Sequence, residues 1–307
     1  MKPQIKSAYI KLHIAVFLFG FTAILGKLIT LNQNALVWNR LWISCVGLLL
    51  VPGLFVGLKK ISGTKILTFS AIGVLIALHW LTFYGSIKFG NNVSVTLACL
   101  ATTPLFTSVF EPLFFKRKIL YSEIILGILS IAGVRLIAGV GSFYYDAIIS
   151  GIISAAIASL FTVLNKKNIG ENNAFSVSFI EFFSGWIFVG LIIFLMPGID
   201  NLSLFPQPNN LDKSWNFIFF GIHSDWYYLL VLGLLCTCLA FVFNLQSLKH
   251  LSAFTSNLSV NLEPVYGIIM GVIFFKENQN LNTMFYIGTS LILICVLLHP
   301  FLKNNKK

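Results

Sequence analysis

Charge is scarce in this chain, and acid scarcest: of 307 residues only 10% are charged, with 10 Asp and Glu against 21 Lys and Arg. Soluble domains carry about a quarter charged residues. With 57% hydrophobic residues and a mean hydropathy of +0.87, a soluble fold would lack the polar side chains to cover its surface. Cysteine is sparse and odd in number, and all five (Cys45, Cys99, Cys236, Cys238, Cys295) stand in apolar stretches, which argues against a disulfide framework or a zinc site. Cys236 and Cys238 are two residues apart, so on a helix they point away from one another. The histidines (His13, His79, His223, His250, His299) are scattered, and no HExxH pattern or paired nucleophile and base accompanies them. An intramembrane enzyme acting on lipid, the alternative function, therefore finds little chemistry to use. No phosphate-cradling glycine loop is present, so ATP is not expected as a direct drive, and no cofactor or metal is implied. The formal charge of +11 comes from short basic clusters rather than one continuous face, and no base-stacking motif joins them; nucleic acid is not expected as a partner.

Long apolar blocks fill the chain instead. They cover residues 12–31, 35–58, 66–87, 93–115, 124–140, 147–164, 174–196, 226–248, 251–275 and 281–301. Each is long enough to span about 30 Å of hydrocarbon at about 1.5 Å per helical residue. The expected fold is all-α and integral to the membrane, with ten transmembrane helices. Lys2, Lys6 and Lys11, Lys59, Lys60 and Lys65, Lys116, Arg117 and Lys118, Lys166 and Lys167, Lys249, and Lys303, Lys306 and Lys307 lie in alternate connections. The positive-inside rule then puts both termini in the cytoplasm, with the chain in the plasma (inner) membrane. The polar stretch 197–225 falls on the outer side as a surface loop.

The two halves repeat. Thr103, Pro104, Phe114, Phe115 and Lys116 recur 160 residues later as Glu263, Pro264, Phe274, Phe275 and Lys276. Ser86-Ile87-Lys88 matches Ser247-Leu248-Lys249 at a spacing of 161, Phe21, Thr22, Lys27 and Ile29 match Phe161, Thr162, Lys167 and Ile169 at 140, and Pro52-Gly53 matches Pro197-Gly198 at 145. Matches in one order across the chain point to a duplicated unit. Residues 1–140 and 141–307 each hold five blocks, an odd number, so the second unit enters the membrane upside down relative to the first. Inverted repeats of this kind are the architecture of secondary transporters, which expose a midplane site alternately to either side. A channel is a weaker reading for the same reason.

On these residues the chain resembles the EamA-type members of the drug/metabolite transporter superfamily. The resemblance rests on Asn39-Arg40-Leu41 early in the second block and on the stretches from Phe83 to Phe115 and from Phe243 to Glu277, the latter ending Phe274-Phe275-Lys276-Glu277. It implies a ten-helix carrier of two five-helix repeats that moves amino acids, related metabolites or amphipathic compounds, commonly outward. In the first unit Lys116-Arg117-Lys118 replaces the acidic ending of the family pattern.

An ionisable group in hydrocarbon costs about 2.5–3.5 kcal/mol on insertion scales, so those that occur there usually face a cavity or a partner. Lys27, Arg40, His79, Glu111, Arg135, Glu181 and Glu263 make up that short list. Glu263 lies midway along its block beside Pro264, which frees backbone carbonyls, and Asn257 and Asn261 precede it at helical spacing. Arg40 can receive an anionic group bidentately or reach for the interface. His79 and Trp80 share a helix face with Thr82, Phe83 and Ser86, and Asn244 adds an amide on the eighth block. The expected substrate-binding set is Glu263, Arg40, His79, Trp80, Phe83, Asn244, Asn257 and Asn261. Glu263 and Glu181 are the proton-coupling candidates, and Pro104 and Pro264 the expected helix kinks. Glu111 and Arg135, nearer the ends of their blocks, are explained by snorkelling or salt bridges.

Overall fold

A computed structural model describes residues 2–90, 93–138, 145–195, 204–206, 225–263, 265–266 and 283–304. Pro264, the repeat positions Phe274, Phe275, Lys276 and Glu277, and most of the 197–225 loop lie outside the described residues.

All regular structure among the described residues is helical. Helix α1 (Pro3–Leu28) starts with proline in its first turn, where the missing N–H costs no bond. Asn32 opens α2 (Gln33–Leu49), its Oδ1 accepting from the Ala35 N–H at 2.8 Å. The second apolar block then breaks at Pro52-Gly53, where Gly53 adopts φ +84°, and resumes as the short α3 (Leu54–Lys59). Helix α4 (Gly63–Gly90) runs without interruption. The fourth block splits into α5 (Val93–Leu100) and α6 (Thr103–Phe115) around Ala101 and Thr102. Pro104 therefore stands in the first turn of α6 after a break, and it is Pro112 that lies inside that helix.

After α7 (Tyr121–Ala138) come α8 (Tyr145–Asn168), α9 (Ala174–Leu195) and α10 (Asp225–Leu248). The middle of α10, Val231–Leu239, is wound as a π-helix. Helix α11 (Ala253–Val260) is capped by Ser252, whose hydroxyl accepts from the Thr255 N–H, and α12 (Thr283–Asn304) completes the described chain.

Five of these helices, α1, α4, α8, α9 and α10, are long and apolar enough to cross a bilayer, and shorter apolar helices accompany them. The distribution of side chains is that of a protein dissolved in lipid. Leu50, Phe55, Leu67, Phe194 and Leu195 face outward, while Asn39, Arg40, Asn165 and Glu181 are almost wholly buried. Lipid accepts the first group freely, whereas polar groups must find partners inside the bundle.

Close crossings position the centre. A Cβ built on Gly73 of α4 would stand 2.1 Å from the Glu181 carbonyl oxygen of α9. One built on Gly233 of α10 would stand 2.6 Å from Ile43 and 3.4 Å from the Arg40 carbonyl oxygen of α2. Small residues at such crossings let helix backbones approach in a membrane, where packing replaces the hydrophobic drive.

The helix ends are tied by polar contacts. Asp225 Oδ2 accepts from the Thr30 N–H at 3.0 Å and from its hydroxyl at 2.6 Å. Lys65 Nζ donates to Asn168 Oδ1 at 2.8 Å. Glu111 Oε2 accepts from the Phe254 N–H at 2.8 Å, and Arg117 lies 3.5 Å from Glu111 and 2.9 Å from Glu123, so one network joins α6, α7 and α11.

Candidate functional site

The buried centre holds a cavity with about 90 Å³ open to water-sized bodies. Its walls come from α1, α2, α4, α8, α10, α11 and the residues just after it, and from the α5–α6 break. Arg40, His79, Trp80, Phe83, Asn244, Asn257 and Glu263 all line it. These residues come from four helices and from the chain just past α11, and the fold brings them to one place.

Arg40 anchors the site. Its side chain is only 1% exposed, so it does not reach for the interface. Nε donates to Thr237 Oγ1 at 2.5 Å, Nη1 donates to the Tyr84 hydroxyl at 2.8 Å, and the guanidinium lies 3.9 Å from the centroid of the Trp80 ring. A desolvated cation over a tryptophan face gains about 2 kcal/mol, and each bond from a charged donor about 1.5–3 kcal/mol. The π-helical turn of α10 holds Thr237 in register: its hydroxyl also reaches the Leu232 carbonyl at 2.6 Å. Tyr84 is fixed in turn by Gly26 of α1, where any added Cβ would meet its ring at 2.2 Å.

Among the described residues no salt bridge neutralises Arg40. Glu263 is the carboxylate whose charge it feels, across the cavity rather than in contact. A guanidinium and a carboxyl group thus share one small space with no ion pair between them. At low effective dielectric the guanidinium acts strongly on whatever charge enters.

The remaining walls are aromatic and amide. Trp80, Phe182 and Phe241 pack ring against ring, and Phe161 stands beside both His79 and Phe241. His79 Nδ1 is 3.0 Å from the Ser154 carbonyl and 2.8 Å from its hydroxyl, so the ring is pinned to α8 while still bordering the cavity. Asn257 Nδ2 donates to Thr107 Oγ1 at 2.8 Å, and Asn244 Oδ1 accepts from Ser256 at 2.7 Å. Asn261 does not line the cavity. Its amide reaches the Ala101 carbonyl at 3.4 Å, at the break between α5 and α6.

Glu181 lies elsewhere. It is fully buried and absent from the cavity wall, and neither carboxylate oxygen has a hydrogen-bond donor among the described residues within bonding geometry; Asn165 is its polar neighbour. Lys27 and Arg135 are exposed. Glu111 is buried and engaged with the Phe254 N–H and Arg117, as a structural carboxylate.

Sequence reasoning missed Tyr84, Thr237 as an arginine partner, and the walls Thr22, Thr103, Phe161, Thr162 and Phe241. The internal repeat carried a signal for several of them. Adding its spacing to a wall residue of one half gives a wall residue of the other, as with Trp80 and Phe241.

A helical membrane protein with a charged, aromatic-walled cavity among its spans has the form of a solute transporter, and comparison with known proteins points to a transporter rather than an enzyme. The particular family follows from comparison. The sequence pattern of the EamA-like transporter family matches residues 6–139 and again 146–299, and the chain belongs to that family, within the drug/metabolite transporter superfamily. It is 24% identical to an uncharacterized transporter, YxxF, of Bacillus subtilis (strain 168) over 316 residues, covering 95% of this chain and 91% of that protein. It is 25% identical to an uncharacterized transporter of Clostridium kluyveri over 226 residues, covering 71% of this chain and 66% of the relative. A solved crystal structure shares its fold with TM-score 0.72 at 13% identity, covering 96% of this chain and 98% of that one.

Proposed function

We propose that this transporter is a secondary carrier that moves a small polar solute, an amino acid or a related metabolite, out of the cell by alternating access, through ten spans arranged as two inverted five-helix repeats. The observation that carries the reading is the cavity itself. Arg40 and Glu263 face one space without bridging, so a solute bearing a carboxylate and an ammonium would satisfy both, with Trp80, Phe83 and Phe241 covering its apolar part. The space of about 90 Å³ lies well below the roughly 300–1,000 Å³ of ordinary ligand pockets. Admission of anything but a compact solute requires the halves to part.

The inverted repeat draws support from the symmetry of the walls. Thr22 and Thr162, Trp80 and Phe241, Phe83 and Asn244, Leu100 and Val260, and Thr103 and Glu263 stand at the repeat spacings of 140, 161, 161, 160 and 160, and all ten line the cavity. Packing follows the same exchange: α4 lies on α8 and α9, as α10 lies on α1 and α2. Two separate family matches, one per half, agree with it. The reading keeps both termini in the cytoplasm and the chain in the plasma membrane. Coupling is assigned to protons, with Glu263 and Glu181 as the carboxylates able to carry them.

The test is a screen of radiolabelled amino acids and related metabolites in reconstituted vesicles, comparing the intact protein with Glu263→Gln and Arg40→Ala. Accumulation by the intact protein that both variants lose supports the reading. Sustained single-channel currents would replace the carrier with a channel, and uptake unchanged by collapse of the pH gradient would remove the proton.

A further inference from the structure

The symmetry of the cavity wall has one gap. Arg40 stands 141 residues before Glu181, within the range of spacings that relates the halves, and each is the eighth residue of its helix, α2 or α9. The burial of the two helices superposes at that spacing. Ala35, Leu36, Val37, Asn39, Arg40, Leu41, Ser44 and Leu48 are buried in α2, and so are Ser176, Val177, Ser178, Ile180, Glu181, Phe182, Gly185 and Val189 in α9. Their crossings match too: the Arg40 backbone meets Gly233 of α10, and the Glu181 backbone meets Gly73 of α4, 160 residues earlier. Yet Arg40 lines the cavity and Glu181 does not.

A second asymmetry points the same way. Ser86 of α4 binds Thr96 at 2.8 Å and the Ala147 carbonyl at 2.7 Å, and a Cβ on Gly90 would stand 3.0 Å from Ala147, so α4, α5 and α8 are closed together at this end. The equivalents of Ser86 and Ala147 are Ser247 and Ser7. Ser247 instead bonds the Asn244 carbonyl of its own helix, and Ser7 lines a cleft of about 690 Å³ with Gln246, Lys249 and His250. The same interface is shut on one side of the bundle and parted on the other. In a carrier of inverted repeats, the opposite state is the one in which the two halves exchange these arrangements.

We propose that Glu181 is a second binding residue of the solute site, which takes the place of Arg40 at the cavity when the halves exchange conformation. The proposal rests on the inverted-repeat reading above. In the conformation described, the cavity offers a guanidinium to an anionic group, with Glu263 opposite. In the exchanged conformation Arg40 withdraws into packing equivalent, in its own half, to that which now encloses Glu181, and the cavity presents Glu181 and Glu263, two carboxyl groups, to a cationic group. No salt bridge engages Glu181 among the described residues; its polar neighbour is the Asn165 amide. A buried carboxylate without a countercharge is costly to keep for packing alone, and alternate exposure gives it a use. The site therefore holds the anionic end of a solute on one side of the membrane and repels it on the other.

The test is a reversible lock on the closed end. Gly90→Cys with Ala147→Cys places two Cβ atoms 3.0 Å apart, and parting of the helices by about 0.5 Å brings them to the roughly 3.5–4.5 Å that a disulfide needs. The full-length variant in proteoliposomes is treated with a water-soluble carbodiimide and glycine ethyl ester, either oxidised or reduced, and its carboxyls are mapped by peptide mass spectrometry. Because labelling accumulates over time, an exchanged state of even about 0.1–10% population is captured. The expected result is modification of Glu263 in both samples and of Glu181 only after reduction. Glu181 reacting equally in both, or in neither while Glu263 reacts, overturns the proposal. Failure of the inverted-repeat reading itself has another signature: tags at the two ends of the chain answering to reagents on opposite faces of the vesicle.

Discussion

Gly73→Ala is a substitution of one methyl group that should separate two helices. The new Cβ would lie 2.1 Å from the Glu181 carbonyl oxygen and 2.2 Å from the Ser184 hydroxyl. The hydroxyl can rotate away, but the carbonyl belongs to the backbone of α9. To restore an ordinary contact of about 3.4 Å, α4 and α9 must part by roughly 1.3 Å along their line of contact. Overpacking of this kind costs about 1–3 kcal/mol, occasionally more, and the gain in helix propensity on replacing glycine returns about 1 kcal/mol at most. A net loss of about 1 kcal/mol, reaching about 2 where the helices cannot part freely, is expected, along with the Ser184 contact to the Ser70 carbonyl, now 3.1 Å.

The assay is thermal unfolding of detergent-solubilised protein followed by tryptophan fluorescence, with two companions. Gly63→Ala has open space around the new methyl group and should match or slightly exceed the parent. Gly233→Ala meets chiefly the movable Ile43 side chain and should fall between. If Gly73→Ala unfolds with Gly63→Ala at the parent's temperature, then α4 and α9 do not cross at Gly73, and the placement of Glu181 goes with it.

Other outcomes follow from the site. Thr237→Val keeps the shape of α10 but takes the acceptor from Arg40 Nε; it should weaken apparent affinity for carboxylate-bearing solutes by about tenfold to a hundredfold, from a bond worth about 1.5–3 kcal/mol, with maximal rate little changed. Tyr84→Phe should do the same by removing the Nη1 partner, and Arg40→Lys should not restore it, because an ammonium cannot reach both hydroxyls and stack on Trp80 together. Vesicle uptake across a concentration series separates these effects on affinity from effects on rate. Arg117→Ala leaves Glu123 buried without its 2.9 Å partner and should destabilise the protein by about 3 kcal/mol, read by the same unfolding assay.

Hydropathy made the helices legible because each block had to satisfy its own backbone in lipid, which only a helix can do. It did not reveal where helices break. The interruption at Ala101 and Thr102 sits inside a continuous apolar block, and Gly53 at φ +84° follows a proline that the block absorbs without a change of polarity. The cavity was legible through cost: a charge or amide in hydrocarbon needs a reason, and Arg40, His79, Asn244, Asn257 and Glu263 share one. Their partners were hidden because Tyr84 and Thr237 come from other spans, and a tyrosine or threonine in lipid attracts no notice.

Glu181 shows what cost alone cannot decide. The same rule put it on one short list with Glu263, yet the two carboxyl groups stand in different surroundings, one on the cavity and one enclosed by α9 and its neighbours. The distinction lies in the repeat rather than in the residue. Read singly, Glu181 is a buried acid with no countercharge; read at 141 residues from Arg40, it is the place where a duplicated helix carries the opposite charge. Duplication tends to preserve packing, as it has at Gly73 and Gly233, while leaving chemistry free to diverge. If the halves exchange conformation as proposed, the carrier meets its solute with a guanidinium in one state and a carboxyl group in the other, and that difference would bias affinity between the two faces of the membrane without any moving part beyond the repeats themselves.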